Sequence, residues 1–141
     1  MPGELSHVQL RILKRMNQLL TALQNKGIKI GINSNKKHDL TVDLAKKLYP
    51  DINFTLIIGQ REGHNTKPDP EGALEIIKEM KLDKDEVCYC GDSPTDIKTG
   101  KNAGLYTIGV SWGFRDPSKA KEAGANLIAK TPEDILKAVT E

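Results

Sequence analysis

The run Val87-Cys88-Tyr89-Cys90-Gly91-Asp92-Ser93-Pro94-Thr95-Asp96 constrains this chain more than any other stretch. Val87 to Cys90 is apolar, too short for a helix and rich in strand formers, so it reads as a buried strand. Gly91 lets the backbone bend where a Cβ would resist. Ser93 and Pro94 read as the N-cap and first position of a helix, where the missing N–H of Pro costs nothing. Asp96 falls in the first turn of that helix, close to Asp92. Two carboxylates at the carboxyl end of a parallel strand are the hard oxygen ligands that suit Mg²⁺. A simpler use of the same residues is structural: Asp92 or Ser93 caps the helix, and Asp96 complements its positive end.

Further strands end in the same manner. Val8 to Lys26 carries Ile12, Met16, Leu19, Leu20 and Leu23 at helical spacing, with Gly27 as its stop. Ile28 to Asn33 alternates and is β-branched, which predicts a strand. Asp39 to Leu48 reads as a helix, Phe54 to Ile58 as a strand, and Pro70 to Lys81 as a helix with a stripe of Leu74, Ile76, Ile77 and Met80. After the strand at Val87 come a helix to about Ala103, strands at Leu105 to Val110 and Asn126 to Ala129, and a last helix opened by Thr131-Pro132. Strands alternating with helices indicate an α/β fold with a mostly parallel sheet between helical layers. Ligands of such sheets bind beyond the carboxyl ends of the strands.

At those ends the sequence places Ser34, Asn35 and Lys67. Ser34 offers a hydroxyl and a turn N–H to a phosphate oxygen, or simply caps its own turn. Asn35 orients that turn or satisfies local backbone. Lys67 precedes a helix whose Asp69, Pro70 and Glu71 are ordinary N-terminal chemistry; a cation there is out of place unless it faces a bound anion. Ser34, Lys67, Asp92 and Asp96 together would neutralise and orient a phosphoryl group beside a divalent cation. His64 and Arg61, on the loop before Lys67, could reach a substrate carboxylate but are read as solvated, and Trp112 as packed. Cys88 and Cys90 share one face of their strand and read as small hydrophobes in a reducing compartment.

The segments Asn33-Ser34-Asn35-Lys36, Lys67-Pro68-Asp69-Pro70 and Gly91-Asp92-Ser93-Pro94-Thr95-Asp96 resemble, in order and spacing, the second to fourth motifs of the haloacid dehalogenase superfamily. Gly104 to Arg115 is similar to the matching stretch of its phosphoglycolate-phosphatase-like members. The resemblance implies a Rossmann-like three-layer sandwich and Mg²⁺-dependent hydrolysis of a small phosphorylated metabolite through an aspartyl-phosphate. It further implies Ser34 and Asn35 at the phosphate, Lys67 offsetting its charge, and Asp92 and Asp96 at the metal. Members of that superfamily start with a strand ending in Asp-x-Asp-Gly-Thr, which supplies the nucleophile and lies mid-sheet. This sequence has no such motif. Its one Asp-x-Asp, Asp83-Lys84-Asp85, precedes a strand and reads as a solvated loop, so no nucleophile is assigned.

Residues 1–16 are therefore expected to form a helical extension and residues 17–141 an incomplete core that lacks the usual first central strand. The chain is expected to be a piece of a longer phosphatase and inactive alone. The alternative is a non-catalytic phosphate- and Mg²⁺-binding or protein-interaction module of the same fold. A receiver-like signalling domain fits poorly, since the earlier strands end in Ser34 and Gly59. Two apolar strand edges would be left unpaired and could close on each other or join a second chain as a homo-oligomer. A net charge of +2 gives no footprint for nucleic acid or an anionic membrane. The polar start Met1–His7 and the lack of a 20-residue apolar run lead to an expectation of the cytoplasm.

Overall fold

The structure, a computed structural model, describes residues 7–113, 116 and 118–140. Phe114 and Arg115, at the end of the segment likened to phosphoglycolate phosphatases, lie outside the described residues, as do Met1–Ser6. The chain runs α1 (His7–Asn25), β1 (Gly31–Lys37), α2 (His38–Leu48), β2 (Leu56–Gln60), α3 (Glu71–Met80), β3 (Cys88–Gly91), α4 (Pro94–Asn102), β4 (Tyr106–Val110), α5 (Ser118–Glu122), β5 (Leu127–Ala129) and α6 (Pro132–Thr140). Helix α1 passes without a break through residues 16 and 17. Gly27 and Gly104 take φ values of 78° and 77° just past their helices, the left-handed conformation that glycine adopts without steric cost.

All strand pairs are parallel, but they fall into two sheets. One is β1–β2, with Gly31 to Asn33 facing Leu56 to Ile58; the other is β3–β4–β5. Among the described residues strands β1 and β3 do not pair, so the sheet expected to lack a central strand is split at that place rather than closed over it. Between the two halves lies a cavity of about 770 Å³, walled by residues 27–33 and by Val87 to Cys90. Helices cover both faces. On one, Leu19 and Leu23 of α1 pack with Ile108, Val110, Ala129 and Ile135. On the other, α3 reaches both halves: Ile76 and Met80 lie with Ile58, while Ala73 and Ile77 lie with Ala103 and Leu105. Burying each of these α3 isoleucines and Met80 contributes on the order of 2 kcal/mol. Gly31 permits this approach, because a Cβ there would come within 2.5 Å of Ile76 Cγ2.

Several boundaries differ from the sequence expectation. The β1 ladder starts at Gly31 rather than Ile28, since β2 begins only at Leu56 and the tie of residues 28–30 towards that strand is Thr55 N to Ile30 O at 2.8 Å. It also runs to Lys37, through an irregularity after Asn33 that carries Ser34 to Lys36. Helix α3 begins one residue late: Pro70 holds the cap position, and Asp69 Oδ1 accepts from Glu71 N at 2.9 Å. Leu74, assigned to the apolar stripe, is exposed because α3 buries Ala73, Ile76, Ile77 and Met80 and turns Leu74 outward. Helix α5 carries no strong periodicity and went unforeseen. Ser93 and Thr131 cap as expected, accepting from Asp96 N at 3.2 Å and Asp134 N at 3.3 Å. Cys90 is exposed rather than buried, since it lines the cavity between the two half-sheets.

Candidate active site

The carboxyl ends of β1 and β3 lie on the same rim, and the loop before α3 connects them. Asn35 and Lys67 exchange two hydrogen bonds: Lys67 N donates to Asn35 Oδ1 at 2.9 Å, and Asn35 Nδ2 to Lys67 O at 3.2 Å. Asn102 Nδ2, at the end of α4, donates to Pro68 O at 2.9 Å. The Lys67 backbone is thus fixed from both halves. Its side chain crosses to α4, where Nζ forms an ion pair with Asp96 Oδ1; the two side chains are only 14% and 10% exposed. The anion that Lys67 faces is therefore a carboxylate of this chain.

Asp96 is held by both oxygens. Oδ1 takes Lys67 and Oδ2 accepts from Asp92 N at 3.0 Å. Burial works to raise its carboxyl, and the hydrogen bond and charge of Lys67 outweigh that, so it sits below its ordinary value of 3.8. Asp92 is exposed and shifts the other way. Loss of hydration, then the neighbouring Asp96 carboxylate, raise it above 3.8. Gly91 allows this crowding: a Cβ on it would lie 2.1 Å from the Asp96 Cβ.

Ser34 is half-buried, and its Oγ accepts from Lys36 N at 3.1 Å, which leaves its O–H to donate outward. Sequence neighbour Asn35 places it beside the Lys67 loop. All five sequence candidates, Ser34, Asn35, Lys67, Asp92 and Asp96, therefore gather on one rim. His64 and Arg61 do not join them: His64 Nδ1 lies 2.8 Å from Glu71 Oε2, and Arg61 pairs with Glu75 at 2.7 Å. Trp112 packs against the α1 core. Asp83, Asp85 and Glu86 cluster on the surface, where Asp83 and Glu86 form a capping box around a short 3₁₀ turn.

Two positions were missed by sequence reading. Asn33, one residue before Ser34, donates from Nδ2 to the Tyr89 hydroxyl at 3.0 Å. His38, at the start of α2, accepts at Nδ1 from Gly59 N at 3.1 Å and lines a shallow cavity of about 600 Å³ beyond the ends of β1 and β2. Only tertiary structure pairs these residues; a strand Asn and a helix-start His give no local signal.

Parallel strands that carry Ser34 within β1 and Asp92 just past β3, joined by a lysine from the intervening loop, define an α/β domain with one polar rim. The family model for haloacid dehalogenase-like hydrolases matches residues 3–110, and the chain belongs to that family. Pyrophosphatase PpaX of Listeria monocytogenes is 31% identical over 124 residues, covering 88% of this chain and 57% of that protein. The phosphoglycolate phosphatase of Escherichia coli is 26% identical over 97% of this chain and 54% of that protein. Among solved structures, a candidate phosphoglycolate phosphatase from Lactobacillus delbrueckii superposes with a TM-score of 0.82 at 32% identity, over 87% of this chain and 51% of that one. The chain thus spans little more than half the length of the relatives it matches.

Proposed function

We propose that the rim of Ser34, Lys67, Asp92 and Asp96 is the phosphate- and cation-binding half of a phosphohydrolase site, acting on a small phosphorylated metabolite. The buried Lys67–Asp96 pair beside the open Asp92 carboxylate carries this reading. Lys67 is held by backbone at both flanks, so its ammonium is placed before any ligand arrives and loses little freedom on binding. A phosphoryl oxygen arriving beside it would share the ammonium with Asp96 and accept the Ser34 O–H.

Mg²⁺ fits the donor set. Asp92 has both carboxylate oxygens exposed and free of protein partners among the described residues, whereas Asp96 is committed to Lys67 and to Asp92 N, which suits a hold through water. Such an ion, when bound, would neutralise charge on a phosphate and polarise it. Asp92 would hold it, and Asp96 would keep Lys67 and the Asp92 backbone in place.

No residue on this rim is placed as a nucleophile, so the 141-residue chain is expected to bind without turnover. The names of the relatives, a pyrophosphatase and a phosphoglycolate phosphatase, support a phosphate ester or anhydride as the substrate class. Calorimetric titration with Mg²⁺ and inorganic phosphate, paired with a p-nitrophenyl phosphate assay, tests the reading. Saturable binding that Lys67→Met and Asp92→Asn each weaken is the expected result. Absence of binding by the folded chain would sink it, and metal-dependent turnover would refute the half-site.

A further inference from the structure

Asn102, the last residue of α4, is exposed, and that helix end closes without it. Gly104, at a φ of 77°, donates from N to Lys101 O at 3.0 Å, and Leu105 N donates to Gly100 O at 2.9 Å. Asn is also among the weaker helix formers, so nothing local favours it there. Its amide instead reaches across 34 residues of sequence, where Nδ2 donates to Pro68 O at 2.9 Å. That carbonyl is the one backbone hydrogen-bonding group a proline has.

Pro68 follows Lys67, so this bond acts on the loop that carries the ammonium. Helix α4 therefore grips that loop twice. Asp96 takes the Lys67 ammonium at its first turn, and Asn102 takes the Pro68 carbonyl at its last, ~9 Å further along. Asn35 holds the Lys67 backbone too, but from β1. Without Asn102 the loop backbone would follow β1 while its ammonium followed α4, and any shift between them would tilt the Lys67 side chain. We infer that Asn102 is a positioning residue. By tying Pro68 to α4 it makes Lys67, Asp92 and Asp96 one rigid unit, and so tightens phosphate binding without touching the ligand. The inference rests on the phosphohydrolase reading and adds to it a residue outside the Ser34, Lys67 and Asp92 segments.

The test titrates the 141-residue chain with inorganic phosphate at saturating Mg²⁺, and with Mg²⁺ alone, by calorimetry. Amide hydrogen exchange of the ligand-free chain is measured alongside. Asn102→Ala removes the donor, and Asn102→Asp replaces it with an acceptor of the same shape. Both are expected to weaken phosphate binding by roughly threefold to tenfold, the cost of ordering a loosened loop on binding. Affinity for Mg²⁺ alone should stay within about twofold, since Asp92 and Asp96 are untouched, and the melting temperature within about 3 °C. Exchange of the Lys67 amide should quicken by roughly threefold or more, although its own acceptor, Asn35 Oδ1, is unchanged. If the wild type binds no phosphate, the functional reading fails, and the exchange measurement alone decides whether Asn102 holds the loop. Phosphate affinity equal in wild type and both variants, or an unaltered Lys67 exchange rate, would overturn the inference. So would matched losses of Mg²⁺ and phosphate affinity with a lower melting temperature, which would make Asn102 a general structural residue.

Discussion

Asn33 on β1 donates to the hydroxyl of Tyr89 on β3 at 3.0 Å, a side-chain hydrogen bond between strands of two different sheets. Asn33 is fixed from behind by α3, because its Oδ1 lies 2.5 Å from where a Cβ on Gly72 would stand. Burial raises the Tyr89 hydroxyl well above its ordinary value, so it stays a neutral phenol, and its oxygen accepts from Asn33. Tyr89→Phe is expected to cost about 1 kcal/mol by urea denaturation, since it removes one bond and strands the Asn33 amide. No measurable loss would mean that the halves are held by the helices and the Lys67 loop without this bond.

Lys67→Met leaves the buried Asp96 carboxylate without its cation. Breaking a buried pair this way is expected to lower stability by about 3 kcal/mol at neutral pH. Asp96→Asn in the same background should restore part of that loss, because the uncompensated charge is removed. Strictly additive single and double variants would show that Lys67 and Asp96 are not coupled.

The same pair sets a pH dependence with opposite signs in two proteins. In the wild type the folded Asp96 pKa lies below its ordinary 3.8, so its contribution is fully present above that value and lost as pH falls through the folded pKa. In Lys67→Met, burial is opposed only by the hydrogen bonds from Asp92, and the folded pKa is expected to rise above 3.8. That variant's deficit relative to wild type should then grow as pH increases from 4 towards 7. Parallel stability–pH curves for the two proteins would contradict this.

Asp92 carries a raised carboxyl beside Asp96, so neutralising it relieves like charge. Asp92→Asn is expected to melt no lower than wild type at pH 7. Millimolar Mg²⁺ should raise the wild-type melting temperature by mass action and leave Asp92→Asn unmoved. Equal shifts in both, read by scanning calorimetry, would place the ion elsewhere.

Gly91→Ala drives a methyl into Asp96, 2.1 Å from its Cβ, and the obstacle is a helix anchored by Ser93 rather than a pliable side-chain end. A loss of about 2 kcal/mol or more is expected, with weakened phosphate binding as Asp96 shifts. Lys98→Ala, exposed on the same helix, should stay within about 0.5 kcal/mol and serves as the control.

Local chemistry was readable from the chain: the Ser93-Pro94 and Thr131-Pro132 helix starts, the left-handed Gly27 and Gly104, and the alternation that makes the sheets parallel. The site candidates were readable because each ends a strand or starts a helix. What joins them was not. Lys67 and Asp96 are 29 residues apart, and no spacing rule tells a lysine whether it faces solvent, phosphate or carboxylate. The true start of β1 was hidden for a similar reason: Ile28 and Ile30 have strand chemistry, but pairing depends on where β2 begins. Leu74 misled because a ten-residue helix tolerates one apolar residue outside its buried stripe.

Since hydrogen-bonded ladders stop at β1 and resume at β3, no continuous strand ladder among the described residues joins the two halves. Helix α3 acts as a splint, with Ile76 and Met80 gripping one side and Ala73 and Ile77 the other. A small shear along that seam would alter the separation of Ser34 and Asp92 without parting any strand from its neighbour. The reach of the site across its ligand is therefore set by the side chains of two turns of helix together with the Asn33–Tyr89 and Lys67–Asp96 contacts that span the seam.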